Sequence, residues 1–365
     1  MDKKIGDDDM NTKIQWLRNA LSGLDMQGMI VSNPINIRYL TGIQAEGTLL
    51  ITRRENIYIT DGRYIEAVNT ILTIDDEIIV YDIRDISKED YENFFLFCEN
   101  VGFEENYVTY ARYKEYMHLY KINNLAETEN LIENQRMVKD LDEIVTIQKA
   151  CEITDQCFEY LKEYIKIGLT EKEIALEIDK YFKLHGADGL AFDTIVASGT
   201  NSSMPHAVPT DRRIVSGDVI TIDFGCTYQG YCSDMTRTVF VDTVPEEIKP
   251  VYELVLKNQK AALEELKEGA IPKNISKIVE NDFKLRGYSL IHSLGHSLGL
   301  EIHEKPYINR TNEIPLKAGN VVTDEPGIYL PGKFGVRIED TVLISKTGCK
   351  LLTKSDKNYV IIKGK

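Results

Sequence analysis

Hydrophobic and polar positions follow two different periods along the chain. Ile14, Leu17, Leu21 and Leu24 recur at helical spacing and predict a helix over 12–27. MIVSNP, from residue 29, reads as a short strand closed by a turn, and LLIT and IYIT read as further strands. The charged run 53–56 between these last two is a hairpin loop. Helix and strand signals keep alternating to about residue 130. The clearest helix is predicted over 136–165, where Met137, Leu141, Ile144, Ile147 and Ile153 follow the helical period. Thr170 and Glu173 form the capping-box pattern that opens the next helix. Two more helices are predicted at 250–267 and 272–286. Strands rich in β-branched residues are predicted at 192–198, 219–226, 231–241, 320–325 and 335–344. Residues 1–11 are polar and aperiodic and read as a disordered extension. The pattern therefore predicts an α/β domain over 12–135 and an α+β domain with an antiparallel sheet over 136–365.

Composition narrows the function classes. Apolar residues make up 43% of the chain and charged residues 28%, as in an ordinary globular protein. Acidic residues number 58 against 43 basic ones, a net charge of −15. That balance opposes a nucleic-acid binder, which needs clustered cations to neutralise phosphates. No apolar run approaches the roughly 20 residues of a transmembrane helix, and no secretory signal pattern is visible. The six cysteines (Cys98, Cys151, Cys157, Cys226, Cys232 and Cys349) form no C-x-x-C pair. Reduced, mostly buried thiols in a cytoplasmic protein are the expectation.

The chemistry concentrates in three strings. In DVITIDFGCTYQGYCSDMTRTVFV, two β-rich runs flank the turn Tyr228-Gln229-Gly230. Asp223 and Asp234 lie at similar distances from it and are predicted to stand opposite, or nearly opposite, each other across the hairpin. Two like charges among apolar residues need a cation between them. In VVTDEPGIYLPGKFGVRIEDTVLI, Glu325 and Glu339 are equidistant from Gly332, and Arg337 shares a face with Glu339. Asp324 and Asp340 fall on the other face, where Asp340 is a candidate to orient a ligand histidine. The third string, SLIHSLGHSLGLEIHEKP, holds His292, His296 and His303, and His206 lies in SSMPHAVP. Four carboxylates and a histidine make five ligands of mixed oxygen and nitrogen type. They suit two divalent ions such as Mn, Co or Zn, which lower the pKa of a bridging water and clamp a tetrahedral intermediate.

On DFGCTYQGYCSDMTRT, GHSLGLEIHE, TDEPGIY and GVRIEDT, with NIRYLTGI and ITDGRY nearer the start, the sequence resembles the prolidase/aminopeptidase P/creatinase family of pita-bread hydrolases. The resemblance implies an α/β N-terminal domain followed by an α+β pita-bread catalytic domain. It implies that Asp223, Asp234, His296, Glu325 and Glu339 are the metal ligands, with Asp234 and Glu339 bridging two divalent ions. Manganese is the first expectation, with cobalt or zinc as alternatives. His206 and His303 fall where the family binds substrate and stabilises the intermediate, and Glu325 where a proton is shuttled. His292, Tyr329 and Arg337 match further substrate-site positions, Arg337 as a clamp on a substrate carboxylate. A shallow apolar pocket near Phe192 is the expected seat of a proline ring.

The implied activity is hydrolysis of the Xaa–Pro bond of dipeptides, as in a prolidase. The alternative is aminopeptidase P, which acts on longer peptides with proline second. The implied partners are a small peptide and a second copy of the chain, with no nucleic acid and no membrane. Asp324, Ser293, Ser297 and the loop Ile43-Gln44-Ala45-Glu46 depart from the commonest family pattern. Two remoter readings stay open: a metal-free binding protein on the same fold, and a serine hydrolase. The latter rests on Gly295-His296-Ser297-Leu298-Gly299, which fits G-x-S-x-G and requires a helix after the serine.

Overall fold

Alternating apolar positions in the first third of the chain build a single mixed sheet. The computed structural model describes residues 7–72 and 77–364. Its contacts divide it into two units, Met1–Arg136 and Met137–Lys365. In the first, β1 (Gly28–Val31), β2 (Gly47–Ile51), β3 (Asn56–Thr60), β4 (Ile78–Asp82), β5 (Asn100–Phe103) and β6 (Asn124–Glu127) pair in the order β4-β3-β2-β1-β5-β6. The strands β1, β2 and β3 run antiparallel to their neighbours in that trio, and the outer pairings are parallel. Among the described residues six helices accompany the sheet: α1 (Asp7–Gly23), α2 (Pro34–Thr41), α3 (Ile65–Ile71), α4 (Lys88–Asn93), α5 (Tyr110–Leu119) and α6 (Leu131–Arg136). The first helix starts before the predicted residue 12, so residues 7–11, read from sequence as an extension, are helical. Residues 1–6 lie outside the described residues. Ile30, Leu50, Ile57, Val101, Phe103 and Leu125 pack with Tyr116 and Tyr120 into one core.

The second unit is two helix pairs, each laid on a sheet. Helix α7 (Leu141–Tyr164) begins later than predicted because Asp140 caps it. The Asp140 carboxylate accepts from the Glu143 N–H at 2.8 Å, and the Glu143 carboxylate accepts from the Asp140 N–H at 2.9 Å. Thr170 and Glu173 make the same reciprocal pair ahead of α8 (Glu171–Leu184). A small sheet joins β7 (Gly189–Leu190), β10 (Cys226–Tyr228) and β11 (Tyr231–Cys232). The larger one joins β8 (Ile195–Ser198), β9 (Val219–Phe224), β12 (Met235–Val241) and β20 (Val360–Ile362), in the order β20-β12-β9-β8. Ile153, Phe158, Ile174, Ile178 and Phe182 of the helices pack on Val196, Ile222 and Phe224 of this sheet.

The second helix pair is α9 (Lys249–Glu265) and α10 (Pro272–Leu285). It covers β13 (Gly295–Ser297), β14 (Glu304–Ile308), β15 (Val321–Asp324), β18 (Asp340–Ile344) and β19 (Cys349–Leu351), ordered β14-β13-β15-β18-β19. A separate two-stranded ribbon of β16 (Gly327–Leu330) and β17 (Phe334–Arg337) connects β15 to β18. The strand predicted over 335–344 is therefore two strands, interrupted at Ile338 and Glu339. Tyr252, Val255, Ile275, Val279 and Phe283 meet Val322, Val336 and Val342 in the second core. No helix among the described residues is long and apolar enough to cross a membrane. All six cysteines are free thiols, buried except for the half-buried Cys349.

Candidate metal centre

Each acidic pair is placed by a hairpin, and the two hairpins differ. The first turns on two residues, Gln229 and Gly230, with φ of 45° and 74°, and Tyr228 pairs with Tyr231. Positive φ at both central residues is the type I′ geometry favoured in tight hairpins. In that register Asp223 on β9 faces Thr236, so Asp234 is near it but not directly opposite. Asp234 lies two residues from Thr236, shares its face, and so sits diagonal to Asp223. Close approach of the strands here requires glycine: a Cβ on Gly225 would stand 1.9 Å from the Ser233 carbonyl oxygen.

The second hairpin keeps the predicted register but opens in the middle. Asp324 pairs with Asp340, and Gly327 pairs with Arg337, so Glu325 stands opposite Glu339 between two ladders. The gap releases both backbone N–H groups for other strands. Glu325 N–H donates to the Leu294 carbonyl at 2.8 Å, beside the histidine strand β13. Glu339 N–H donates to the Thr236 carbonyl at 3.1 Å, on the aspartate hairpin. The break in the ladder thus brings three strands to one point. His296 is fixed by its N–H on Thr323 Oγ1 at 3.1 Å. Its Nε2 faces Asp234 Oδ2 at 3.4 Å and Glu325 Oε1 at 3.5 Å. Ligand atoms of Asp234, His296 and Glu339 all lie within 4.8 Å of one another.

The electrostatics of this cluster are those of a cation site. Burial, then the Asp223 and Glu325 carboxylates, push Asp234 well above the usual carboxylate range. Burial, then Asp234, Glu325 and Asp223, do the same to Glu339. Asp223 Oδ1 and Asp234 Oδ1 are buried without a hydrogen-bond partner. Buried carboxylate oxygens facing one another with lone pairs unspent fit a hard or borderline divalent ion. One protein cation takes part. Arg337 donates from Nη2 to Asp223 Oδ2 at 2.6 Å, from Nε to Thr236 Oγ1 at 3.0 Å, and from Nη1 to Tyr329 OH at 2.7 Å and the Pro205 carbonyl at 3.1 Å. Thr236 Oγ1 in turn donates to Glu339 Oε2 at 2.7 Å.

A cavity of about 920 Å³ opens over the cluster, and all five expected ligands line it. His206, His292, His303 and Phe192 share that wall. His303 stands against His296, with ring centroids 4.5 Å apart. Burial lowers the pKa of both His292 and His303, which favours neutral rings. Arg337 has no acceptor, so the Tyr329 hydroxyl accepts from it and sends its own proton to His292 Nε2, 3.0 Å away. The proton of His292 is then on Nδ1, toward the Ser293 carbonyl at 2.8 Å.

Several expectations change. Tyr329 is not among the residues lining the cavity; its hydroxyl bonds His292 and Arg337, which do, and burial pushes its phenol up to about 12. Arg337 lines the cavity, but the bonds above commit its guanidinium to the wall, which is not the posture of a free carboxylate clamp. Asp340 orients no histidine. It bonds Arg237 at 2.7 Å, Gln259 at 3.0 Å and Lys357 at 2.5 Å. Burial pushes its register partner Asp324 well above the carboxylate range. Ser297 is fully buried and donates to the Val321 carbonyl at 2.7 Å, and its strand leads by a loop into β14. No helix follows it, so the nucleophile-elbow reading fails. Sequence reasoning missed Arg237, which is buried and bonded to the Thr236 and Glu339 carbonyls. A charged residue inside the apolar run MTRTVFV was the available signal.

Comparison with known proteins agrees with this architecture. Residues 145–346 match the description "Metallopeptidase family M24", and residues 13–138 match "Creatinase/Prolidase N-terminal domain". The chain belongs to metallopeptidase family M24: it is a metallopeptidase with a creatinase-type N-terminal domain and a pita-bread catalytic domain. It is 35% identical to the Xaa-Pro dipeptidase of Pyrococcus horikoshii over 97% of this chain and 100% of that one. Among solved structures it is similar to the Xaa-Pro dipeptidase from Bacillus anthracis, with a TM-score of 0.90 and 34% identity over 96% and 99% of the two chains. It is also similar to an X-Pro aminopeptidase from Thermotoga maritima, with a TM-score of 0.86 and 32% identity over 94% and 100%.

Proposed function

We propose that the protein hydrolyses the bond between an N-terminal residue and a following proline, with two divalent ions held by Asp223, Asp234, His296, Glu325 and Glu339. The observation that carries this reading is the convergence of buried, mutually repelling carboxylates on His296 under one cavity. Manganese suits the ligands best, since four of the five are carboxylates. When bound, the ions supply Lewis-acid polarisation of the scissile carbonyl and a water of lowered pKa.

The chain's own residues do the rest. Glu325 is the least buried of the four carboxylates and borders the cavity, which suits it to take a proton from the attacking water and pass it to the leaving nitrogen. His206 and His303, both on the open side of the cavity, donate to the carbonyl oxygen as it gains charge. His292 keeps one ring orientation through Tyr329 and Ser293. Phe192 offers an apolar face to the proline ring. Arg337 acts on Asp223 and, through Thr236, on Glu339. Six free thiols fit a reducing, cytoplasmic setting.

Dipeptides are the first substrate class, in line with the dipeptidase relatives. Two observations favour the longer-substrate reading, Xaa-Pro aminopeptidase, as the second. The cavity of about 920 Å³ lies at the upper end of the roughly 300–1,000 Å³ that hold drug-sized ligands, more than a dipeptide fills. Arg337, the expected clamp on a dipeptide carboxylate, is committed elsewhere. The test is hydrolysis of Ala-Pro and of Ala-Pro-Ala by chelated protein, with and without added Mn²⁺. Metal-dependent cleavage of Ala-Pro alone establishes the dipeptidase. Preference for Ala-Pro-Ala establishes the aminopeptidase. No cleavage of either by protein loaded with two metals contradicts both.

A further inference from the structure

A buried ion pair lies directly beneath the two histidine-bearing segments, and none of the chemistry above uses it. Lys139 Nζ is 2.9 Å from Glu304 Oε2, and the two side chains are 1% and 6% exposed. Lys139 Nζ also lies 3.3 Å from Ser297 Oγ. Ser297 is the residue after His296, and Glu304 is the residue after His303. Burying a lysine and a glutamate carries a desolvation cost that their attraction recovers only with good geometry and further hydrogen bonds. The arrangement therefore calls for a reason beyond stability.

The surrounding bonds supply one. Lys139 N–H donates to the Gly319 carbonyl at 2.9 Å, and the Asn320 side chain donates to the Met137 carbonyl at 2.8 Å. The segment carrying Lys139 is thus tied to the turn that starts β15. Ser297 Oγ accepts from Lys139 and donates to the Val321 carbonyl of the same strand, so the residue beside His296 is held from two sides. Glu304 Oε1 accepts from the Glu301 N–H at 3.1 Å. A Cβ on Gly299 would stand 2.8 Å from that same oxygen, so the loop from Gly299 to His303 is wrapped around the carboxylate. Gly299 in turn accepts from the Cys232 N–H at 2.7 Å, two residues before Asp234.

We propose that the Lys139–Glu304 pair, acting through Ser297 and the 299–303 loop, positions His296 and His303 for the metal centre. Lys139 and Glu304 are positioning residues; neither is among the residues that line the cavity. The inference rests on the metal centre proposed above. Partners that orient metal-ligating side chains typically govern about 10- to 100-fold in metal affinity, and that is the size of effect expected here.

The test compares the full-length wild-type protein with the double variant Lys139→Met/Glu304→Gln, which removes both charges together and leaves neither buried alone. Thermal unfolding of the chelated proteins reports the fold. Mn²⁺ titration by calorimetry, and the visible absorption of the Co²⁺-loaded proteins, report the site. The expected result is a fold retained, Mn²⁺ affinity weakened about 10-fold or more, and an altered Co²⁺ spectrum. Should the double variant lose its fold, Glu304→Asp serves in its place. It keeps the charge and withdraws the carboxylate from the loop, and the same weakening of Mn²⁺ binding is expected. Folded variant protein with wild-type Mn²⁺ affinity and an unchanged Co²⁺ spectrum would overturn the positioning role and leave the metal centre standing. Wild-type protein that binds no Mn²⁺ would overturn both, and the two failures are distinct.

Discussion

At the scale of single residues, the centre is a contest between repulsion and what relieves it. Asp234 is nine-tenths buried or more, and that burial first, then the Asp223 and Glu325 carboxylates, push its pKa well up. Asp234→Asn removes one carboxylate of the proposed metal centre, so metal content by elemental analysis and peptidase activity should fall together. Activity retained at full metal content would place the chemistry elsewhere. Arg337 shows what a sequence hides. Its alternation with Glu339 was legible, but its partners Asp223 and Pro205 lie more than a hundred positions away in the chain. Removing one partner of a buried ion pair typically costs about 3 kcal/mol or more. Arg337→Met should therefore lower the unfolding midpoint by the equivalent of about 3 kcal/mol. It should also reduce kcat on Ala-Pro and Ala-Pro-Ala alike. A rise confined to the Michaelis constant for Ala-Pro would restore the carboxylate-clamp role.

At the scale of elements, turns decide what the strands present. Glu325 and Glu339 were legible as a facing pair because Gly332 marks the centre of their turn, and the two ladders on either side keep that register. The gap at Glu325 and Glu339 was not legible, since nothing in an apolar run tells where a strand will lend its N–H to another. Asp223 and Asp234 were legible as near neighbours across a hairpin, and their diagonal register follows from a turn on Gln229 and Gly230 alone. The helix predicted from residue 136 starts after Asp140, whose capping box with Glu143 is a local signal that the hydrophobic period does not carry.

The first unit offers its own test at this scale. Glu104 accepts from the N–H groups of Ser32 and Asn33 and from the Asn36 side chain ahead of and within α2. Burial nonetheless raises its pKa from 4.5 to about 6. Because the folded value is the higher, the folded state holds more protons between those limits, and stability falls as pH rises through them. The contribution is zero below about pH 4.5 and reaches roughly 2 kcal/mol of destabilisation above about pH 6. Chemical unfolding of the chelated protein over this window should show a steeper loss for wild type than for Glu104→Gln. Equal slopes would mean that Glu104 ionises at its ordinary value in the folded protein.

At the scale of the whole molecule, two helix pairs on two sheets bring four carboxylates and His296 to one cavity. Both hairpins and the histidine strand are needed to build it, so metal binding and folding of the catalytic unit are linked. Metal at about 100 times its dissociation constant should stabilise the protein by about 2.7 kcal/mol per site. Chelation should lower the unfolding temperature accordingly. The most direct measurement is metal stoichiometry: elemental analysis of chelated, Mn²⁺-reloaded and desalted protein, wild type beside Asp234→Asn. The expected result is two equivalents per chain in the wild type and at most one in the variant. Wild-type protein holding no metal, or a variant that holds the wild-type amount, would contradict the two-metal centre and the hydrolytic chemistry built on it.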